Sequence, residues 1–108
     1  MTEELTTLND YQAAAMGVRL PSADDLYAKF GIVGELRELM SLLAKARRDG
    51  TKFDHDLNVK KELGDLLWFV AAIAADHGFT LQEIAQSNIF KLYARRDNGT
   101  LQGSGDNR

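Results

Sequence analysis

The apolar residues of this chain recur with the spacing of an α-helix, and few segments alternate apolar and polar residues as strands do. Over residues 6–16 and the position before them, one helical face carries Leu5, Leu8, Tyr11 and Ala15. Residues 17–21, which include the single proline, interrupt the pattern. This spacing predicts a first helix that ends near Met16.

A second helix is predicted from Ser22, with Asp25 as its capping-box partner, to Gly50, a residue that favours helix ends. Basic residues precede that glycine, as the helix dipole favours. One stripe of this helix is largely apolar and consists of Leu26, Phe30, Val33, Arg37 and Met40.

Asp54 or Asp56 can cap a third helix, which is predicted to run to about residue 76 and to stop at Gly78. Thr80 and Glu83 form a second capping-box pattern, and they open a fourth helix that reaches about residue 95. The fold class that follows is all-α, with a four-helix bundle-type protomer.

The residues after the fourth helix are polar and rich in glycine and asparagine. We therefore predict a helical domain over residues 1–96 and a polar tail over residues 97–108 without fixed structure. Folding of Ser104 and Arg108 over a bound ligand is the alternative for this tail.

Composition narrows the function. A chain of 108 residues suits one domain, and its net charge of −3 gives no indication of nucleic-acid binding. There are no cysteines, the N-terminus lacks a signal-peptide core, and the longest apolar run, residues 66–75, is about half of a membrane span. We expect a soluble cytoplasmic protein with no nucleic-acid or membrane partner.

Two carboxylate pairs, each spaced i, i+3, lie on the second and third helices: Glu35 with Glu38, and Glu62 with Asp65. At that spacing each pair shares a helix face. Asp65 is the only charged residue in residues 63–75, and a helix that apolar is expected to be buried nearly all round. A buried carboxylate must be protonated, paired or bound to a metal.

Four carboxylates without nitrogen or sulfur ligands make a hard oxygen site, which suits Mg²⁺, or Mn²⁺ in its place. Such an ion leaves positions open for phosphate oxygens and water, so the implied chemistry is reaction at a phosphoryl group. The alternative is a set of solvated acids balanced by nearby basic residues, namely Arg37, Lys45, Lys60 and Lys61.

On the fourth helix, Asn88, Lys91 and Arg95 fall on one face and together can grip a phosphate chain. A solvated basic helix end is the alternative. Gly31, Gly34 and Gly64 lie inside predicted helices near the acids, where they indicate either ligand access or ordinary close packing.

These motifs resemble those of the MazG-like nucleoside triphosphate pyrophosphohydrolases. The resemblance rests on Glu35-Leu36-Arg37-Glu38, on Glu62-Leu63-Gly64-Asp65 within ELGDLLW, and on Asn88, Lys91 and Arg95 within NIFKLYARR. The opening LNDYQAAA is also similar, and the match spans residues 8–95. The group belongs to the all-α NTP pyrophosphatase superfamily, with dimeric dUTPases and phosphoribosyl-ATP pyrophosphatase.

The resemblance implies an oligomer, a dimer or a dimer of dimers, that uses Mg²⁺ to cleave a (d)NTP into (d)NMP and pyrophosphate in nucleotide-pool housecleaning. It gives the catalytic and metal-ligand roles to Glu35, Glu38, Glu62 and Asp65. It gives substrate binding to Asn88, Lys91 and Arg95. A base can stack on Trp68 or Tyr93, although core packing is the favoured role for Trp68.

Other functions stay open at this point. One is a base-specific dUTPase-like, dCTPase-like or phosphoribosyl-ATP pyrophosphatase-like hydrolase. Another, from a different class, is a non-catalytic helical interaction protein whose acids are structural.

Overall fold

Four α-helices account for most of the chain. The computed structural model describes residues 4–50 and 53–106, with α1 at Leu8–Gly17, α2 at Asp25–Asp49, α3 at Phe53–Asp76 and α4 at Leu81–Asp97. Across these described residues there is no strand. The all-α fold class is therefore confirmed.

The second helix begins later than the pattern indicated. Its N-cap is Asp24, whose Oδ1 accepts a hydrogen bond from the Tyr27 N–H at 2.9 Å, so the predicted start at Ser22 with Asp25 as partner is wrong. The Asp24 carboxylate outcompetes the Ser22 hydroxyl because a negative charge also interacts favourably with the helix dipole. The helix ends at Gly50, with φ of 68°, as predicted.

Helix α3 begins at Phe53, before both aspartates proposed as its cap, so that part of the prediction is wrong. Helix α4 begins as predicted. The Thr80 hydroxyl accepts from the Glu83 N–H at 3.1 Å, and the Glu83 carboxylate accepts from the Thr80 N–H at 3.2 Å. This capping box sets the start of the helix that carries the predicted phosphate-binding residues.

Helices α2 and α3 pack closely because small residues lie between them. Ala28 and Ala72 are fully buried, and Phe69, which packs with them, is 7% exposed. Gly31 belongs to the same contact: a Cβ at this position would lie 2.3 Å from Phe69 Cε1. For Gly31 the structure therefore indicates close packing, whereas a Cβ at Gly34 or Gly64 would meet no atom within 4 Å.

Helix α1 joins α3 to the start of α4. Gln12 is buried; its Nε2 donates to the carbonyls of Ala71 and Phe79, at 3.3 and 3.1 Å, and its Oε1 accepts from the Leu81 N–H at 3.0 Å. A neighbouring bond, from the Gln82 N–H to Asn9 Oδ1 at 3.1 Å, also ties α4 to α1.

The segment between α1 and α2 is held by a bidentate ion pair. Arg19 Nη1 and Nη2 donate to the two carboxylate oxygens of Asp76, at 2.9 and 3.0 Å, and Arg19 Nε donates to the Ala23 carbonyl at 2.6 Å. The side chains of Arg19 and Asp76 are mostly shielded from solvent. This pair fixes the end of α3 against the start of α2.

The apolar stripe of α2 does not face this core. Phe30 is 73% exposed and Val33 66%, and Leu26 and Met40 are also exposed. The residues of α2 that do pack inward include Ala28, Ile32 and Leu39. The chain therefore presents an extended apolar face along α2, although none of its described helices is both long enough and apolar enough to cross a membrane.

Candidate functional site

Packing of α2 on α3 brings three of the four predicted acids together. Glu35 on α2, and Glu62 and Asp65 on α3, each offer a carboxylate oxygen, and these three oxygens lie within 4.8 Å of one another. The i, i+3 spacing places Glu62 and Asp65 on one face of α3, and the close approach of the helices at Ala28 and Phe69 brings Glu35 to that face.

The cluster is electrostatically unfavourable for the protein alone. Burial raises the pKa of the Glu35 carboxyl above its ordinary value, and the Glu62 carboxyl beside it and the charges of Asp65, Glu62 and Glu38 raise it further. One oxygen of Glu62, Oε2, is buried without a hydrogen-bond partner. A buried carboxylate oxygen without a donor is the arrangement that a cation would stabilise.

Asp65 corrects one expectation. Its apolar neighbours predicted burial, yet Asp65 is exposed in this chain. Asp65 lies on the face of α3 that contacts α2, where its carboxylate approaches that of Glu35, but the neighbouring helices leave the residue open to solvent. Asp65 also affects α1. Burial raises the pKa of the Tyr11 phenol, and the charge of the nearby Asp65 carboxylate raises it further.

Glu38 lies at the edge of the cluster and is exposed. With Glu35 it lines a cavity of about 580 Å³ whose other walls are largely aromatic and glycine: Tyr27, Phe30, Gly31, Gly34 and Phe69. An apolar, aromatic cavity that opens beside a carboxylate cluster has the composition expected of a small-molecule site.

The donor set fits a hard divalent cation. All ligand atoms in the cluster are carboxylate oxygens, which Mg²⁺ and Mn²⁺ prefer. Among the described residues, none of the ion pairs involves Glu35, Glu38, Glu62 or Asp65. The basic residues expected to balance structural acids therefore do not pair with them in the described part of the chain.

The second predicted group lies along one face of α4. Asn88 and Lys91 line a cavity of about 500 Å³ together with Phe79, Glu83, Ile84 and Ser87. Arg95 follows one turn later and is buried, with its Nη2 directed at the end of the chain: it donates to Asp106 Oδ1 at 3.2 Å and to the Gly105 carbonyl at 3.3 Å. Lys91 Nζ donates to the same Asp106 oxygen at 3.2 Å.

The tail thus differs from its prediction over its described residues. Asp106 lies against α4, and neither Ser104 nor an arginine makes this contact; Arg108 lies outside the described residues. Reasoning from the sequence missed Asp106 because the tail composition indicated disorder. The one signal was an acidic residue placed after several glycines, close in the chain to two cations.

The acids and the cations lie in different parts of the chain. The cavity beside Glu35 and Glu38 has no lining residue from α4, and the cavity beside Asn88 and Lys91 has none of the four acids. Helix α4 is instead hydrogen-bonded at its start to α1. The structure therefore brings Glu35, Glu62 and Asp65 together on one side and aligns Asn88, Lys91 and Arg95 on the other, and the two cavities share no lining residue.

Trp68 and Tyr93 have different surroundings. The Trp68 indole N–H donates to the Ala15 carbonyl at 3.1 Å, and its ring packs edge-on against Phe69 with centroids 5.2 Å apart. Trp68 therefore serves the α1–α3 contact in this chain. Tyr93 is exposed on α4, where the Arg96 guanidinium lies 4.6 Å from its ring centroid.

Comparison with known proteins gives two matches. The family model of the MazG nucleotide pyrophosphohydrolase domain matches residues 27–100. The Gene 37 protein of Mycobacterium phage L5 is 37% identical over 110 residues, an alignment that covers 91% of this chain and 96% of that protein. No solved structure matches significantly.

Proposed function

We propose that this chain, which belongs to the MazG nucleotide pyrophosphohydrolase family, hydrolyses nucleoside triphosphates to monophosphates and pyrophosphate with the help of Mg²⁺. The observation that supports this most directly is the cluster of Glu35, Glu62 and Asp65 with its buried, unpartnered Glu62 oxygen. Mn²⁺ can replace Mg²⁺ at such a site.

The four acids are the proposed ligands of the metal ion. Glu35, Glu62 and Asp65 would hold the ion, and Glu38, which is exposed at the edge of the cluster, would be the fourth ligand. When bound, the ion polarises the phosphoryl group and lowers the pKa of a bound water. A carboxylate of the cluster that did not ligate the ion would be placed to accept a proton from the attacking water.

Lys91 and Arg95, with Asn88 beside them, bind the triphosphate. The two cations on this helix face neutralise negative charge on the phosphates during cleavage, and the amide donates hydrogen bonds to them. The cavity beside Glu35, with Tyr27, Phe30 and Phe69 in its walls, provides aromatic surface for a base. Base stacking on Trp68 would require its ring to leave its packing against Phe69.

The acids and the cations meet in a homo-oligomer, a dimer or a dimer of dimers. A second copy covers the apolar face of α2 and brings its own α4 towards the acids of the first. The exposure of Phe30 and Val33 and the attachment of α4 to α1 both support this arrangement. In this proposal the helical domain comprises residues 1–96 and the tail comprises residues 97–108. The expected location is the cytoplasm, where nucleotides are made and used.

The alternative functions are hydrolases with a different substrate and a protein that has no substrate. The dUTPase-like, dCTPase-like and phosphoribosyl-ATP pyrophosphatase-like enzymes share the same phosphate chemistry and differ in the base or sugar that they accept. A non-catalytic interaction protein would have its acids paired with cations, and among the described residues these acids form no ion pair.

A pyrophosphate-release assay tests the proposal. It uses a panel of nucleoside and deoxynucleoside triphosphates, with Mg²⁺ and with EDTA. We expect turnover with Mg²⁺ or Mn²⁺ and none in EDTA. Glu62→Gln is the matched inactive control. Absence of turnover over the whole panel, or full activity in EDTA, would refute the proposed reaction.

A further inference from the structure

The described end of the chain turns back onto α4 through glycines. Gly99, Gly103 and Gly105 have φ of 70°, 144° and 86°, a region that side chains other than glycine rarely adopt. The Thr100 N–H donates to the Arg95 carbonyl at 2.8 Å, which reverses the chain directly after the helix. The reversal carries Asp106 back to the face of α4 that bears Lys91 and Arg95.

One oxygen atom of Asp106 bridges both cations. Oδ1 accepts from Lys91 Nζ and from Arg95 Nη2, each at 3.2 Å. Lys91, and then Arg95, lowers the pKa of the Asp106 carboxyl below its ordinary value, so the group is an anion at neutral pH. An anionic oxygen between an ammonium and a guanidinium is also the contact that a phosphate oxygen makes.

The two sides of this contact are held differently. The Arg95 side chain is 6% exposed, and its Nε is buried without a hydrogen-bond partner. The Asp106 side chain is 83% exposed. The guanidinium is therefore held in place, and its Nε–H has no acceptor. The Asp106 carboxylate, in contrast, is mostly exposed and can move away without exposing buried surface of its own side chain. A phosphate chain, which offers several oxygens, can take the place of Asp106 at Arg95 Nη2 and at Lys91 Nζ.

We infer that Asp106 is a tethered internal competitor, which occupies the anion site of Lys91 and Arg95 until a polyphosphate displaces it. The inference rests on the proposed role of these two cations. Tethering gives the carboxylate a high effective concentration at the site, while a chain of several phosphates carries more charge and displaces it. A nucleoside monophosphate has less charge, so the return of Asp106 favours its release.

Binding of inorganic tripolyphosphate to the full-length protein in EDTA, measured by calorimetry, tests the inference without any turnover. Because exposed ion pairs are individually weak, Asp106→Asn should tighten binding roughly three- to tenfold. Asp97→Asn is the matched control: it makes the same change in net charge at the end of the same helix, but Asp97 pairs with Arg96. We expect it to change the affinity by less than about twofold.

A second measurement follows the Arg95 guanidinium, whose Nη2 makes the contact. In the metal-free protein, the Nε–H resonance of Arg95 should shift on Asp106→Asn, and tripolyphosphate should shift it in the wild type. Equal tightening by the two asparagine variants, weaker binding by Asp106→Asn, or no tripolyphosphate binding by any variant would each overturn the inference. If only Asp106→Asn bound tripolyphosphate more tightly but the protein hydrolysed no nucleotide, the inference about Asp106 would hold and the proposed reaction would be wrong.

Discussion

The ring of Phe69 occupies the space that any side chain at position 31 would need, with Cε1 only 2.3 Å from the place of a Gly31 Cβ. We predict that Gly31→Ala destabilises the protein by about 1–3 kcal/mol, because overpacking outweighs the better helix propensity of alanine. Gly64→Ala, where a Cβ meets no atom within 4 Å, should instead be neutral or stabilising by up to about 1 kcal/mol. Urea denaturation of both variants measures this, and a Gly31→Ala protein as stable as the wild type would contradict it.

The carboxylate cluster should repel itself when no cation is bound. Glu62→Gln removes one charge and gives Glu35 a hydrogen-bond donor, so we expect a higher melting temperature in EDTA and the loss of Mg²⁺ binding. Glu38→Gln, at the exposed edge, should weaken Mg²⁺ binding and leave the metal-free melting temperature nearly unchanged. Calorimetry provides both quantities. A lower metal-free melting temperature for Glu62→Gln with Mg²⁺ binding retained would favour a structural role.

The ion pair between Arg19 and Asp76 should make stability depend on pH in acid. The Arg19 hydrogen bond lowers the pKa of Asp76 below its ordinary value of 3.8. A lowered pKa in the folded state gives a stabilisation that is complete above that ordinary value and is lost as the pH falls through the folded-state pKa. The advantage of the wild type over Asp76→Asn should therefore shrink on acidification.

Thermal unfolding over a pH series compares the two proteins. Asp49→Asn, which removes an exposed ion pair with Arg48, is the control and should follow the wild type at every pH. A difference between the wild type and Asp76→Asn that stays constant down to the lowest pH would show that the pair does not act through this titration.

Replacement of Lys91 should affect every triphosphate alike. Loss of one charge-assisted contact to the phosphates should lower kcat/KM by roughly ten- to a hundredfold for Lys91→Ala. Arg95→Lys should also be impaired, since an ammonium cannot make a bidentate contact. Arg96→Ala, next in the chain but stacked on Tyr93, is the control and should remain near wild type. A change in base preference without loss of efficiency would place this face in the base pocket.

The apolar face of α2 should be covered by a second copy. Light scattering at micromolar concentration should give at least twice the chain mass of 12.0 kDa. Phe30→Asp should shift the protein towards the monomer, whereas Val18→Asp, at an equally exposed position after α1, should not. A wild-type monomer would refute the oligomer.

Much of the fold could be predicted because its signals are local. The capping box of Thr80 and Glu83 depends on residues three apart, and helical spacing placed Glu62 beside Asp65 on one face. The exposure of Asp65 could not be predicted in this way, because it depends on which sides of α3 the other helices cover. The contact of Asp106 was missed because it depends on backbone turns at glycines, which composition alone does not specify.

Helix α1 lies outside the stretch that the family model matches, yet the amide of Gln12 holds the beginning of α4 against the end of α3. A fragment trimmed to residues 27–100 would retain every side chain to which we assign metal or phosphate binding, although it would lose Asp106. It would lose the support that orients Asn88, Lys91 and Arg95. An inactive fragment would then report a misdirected helix rather than a missing site residue, and engineering of this protein should treat its first helix as part of the functional unit.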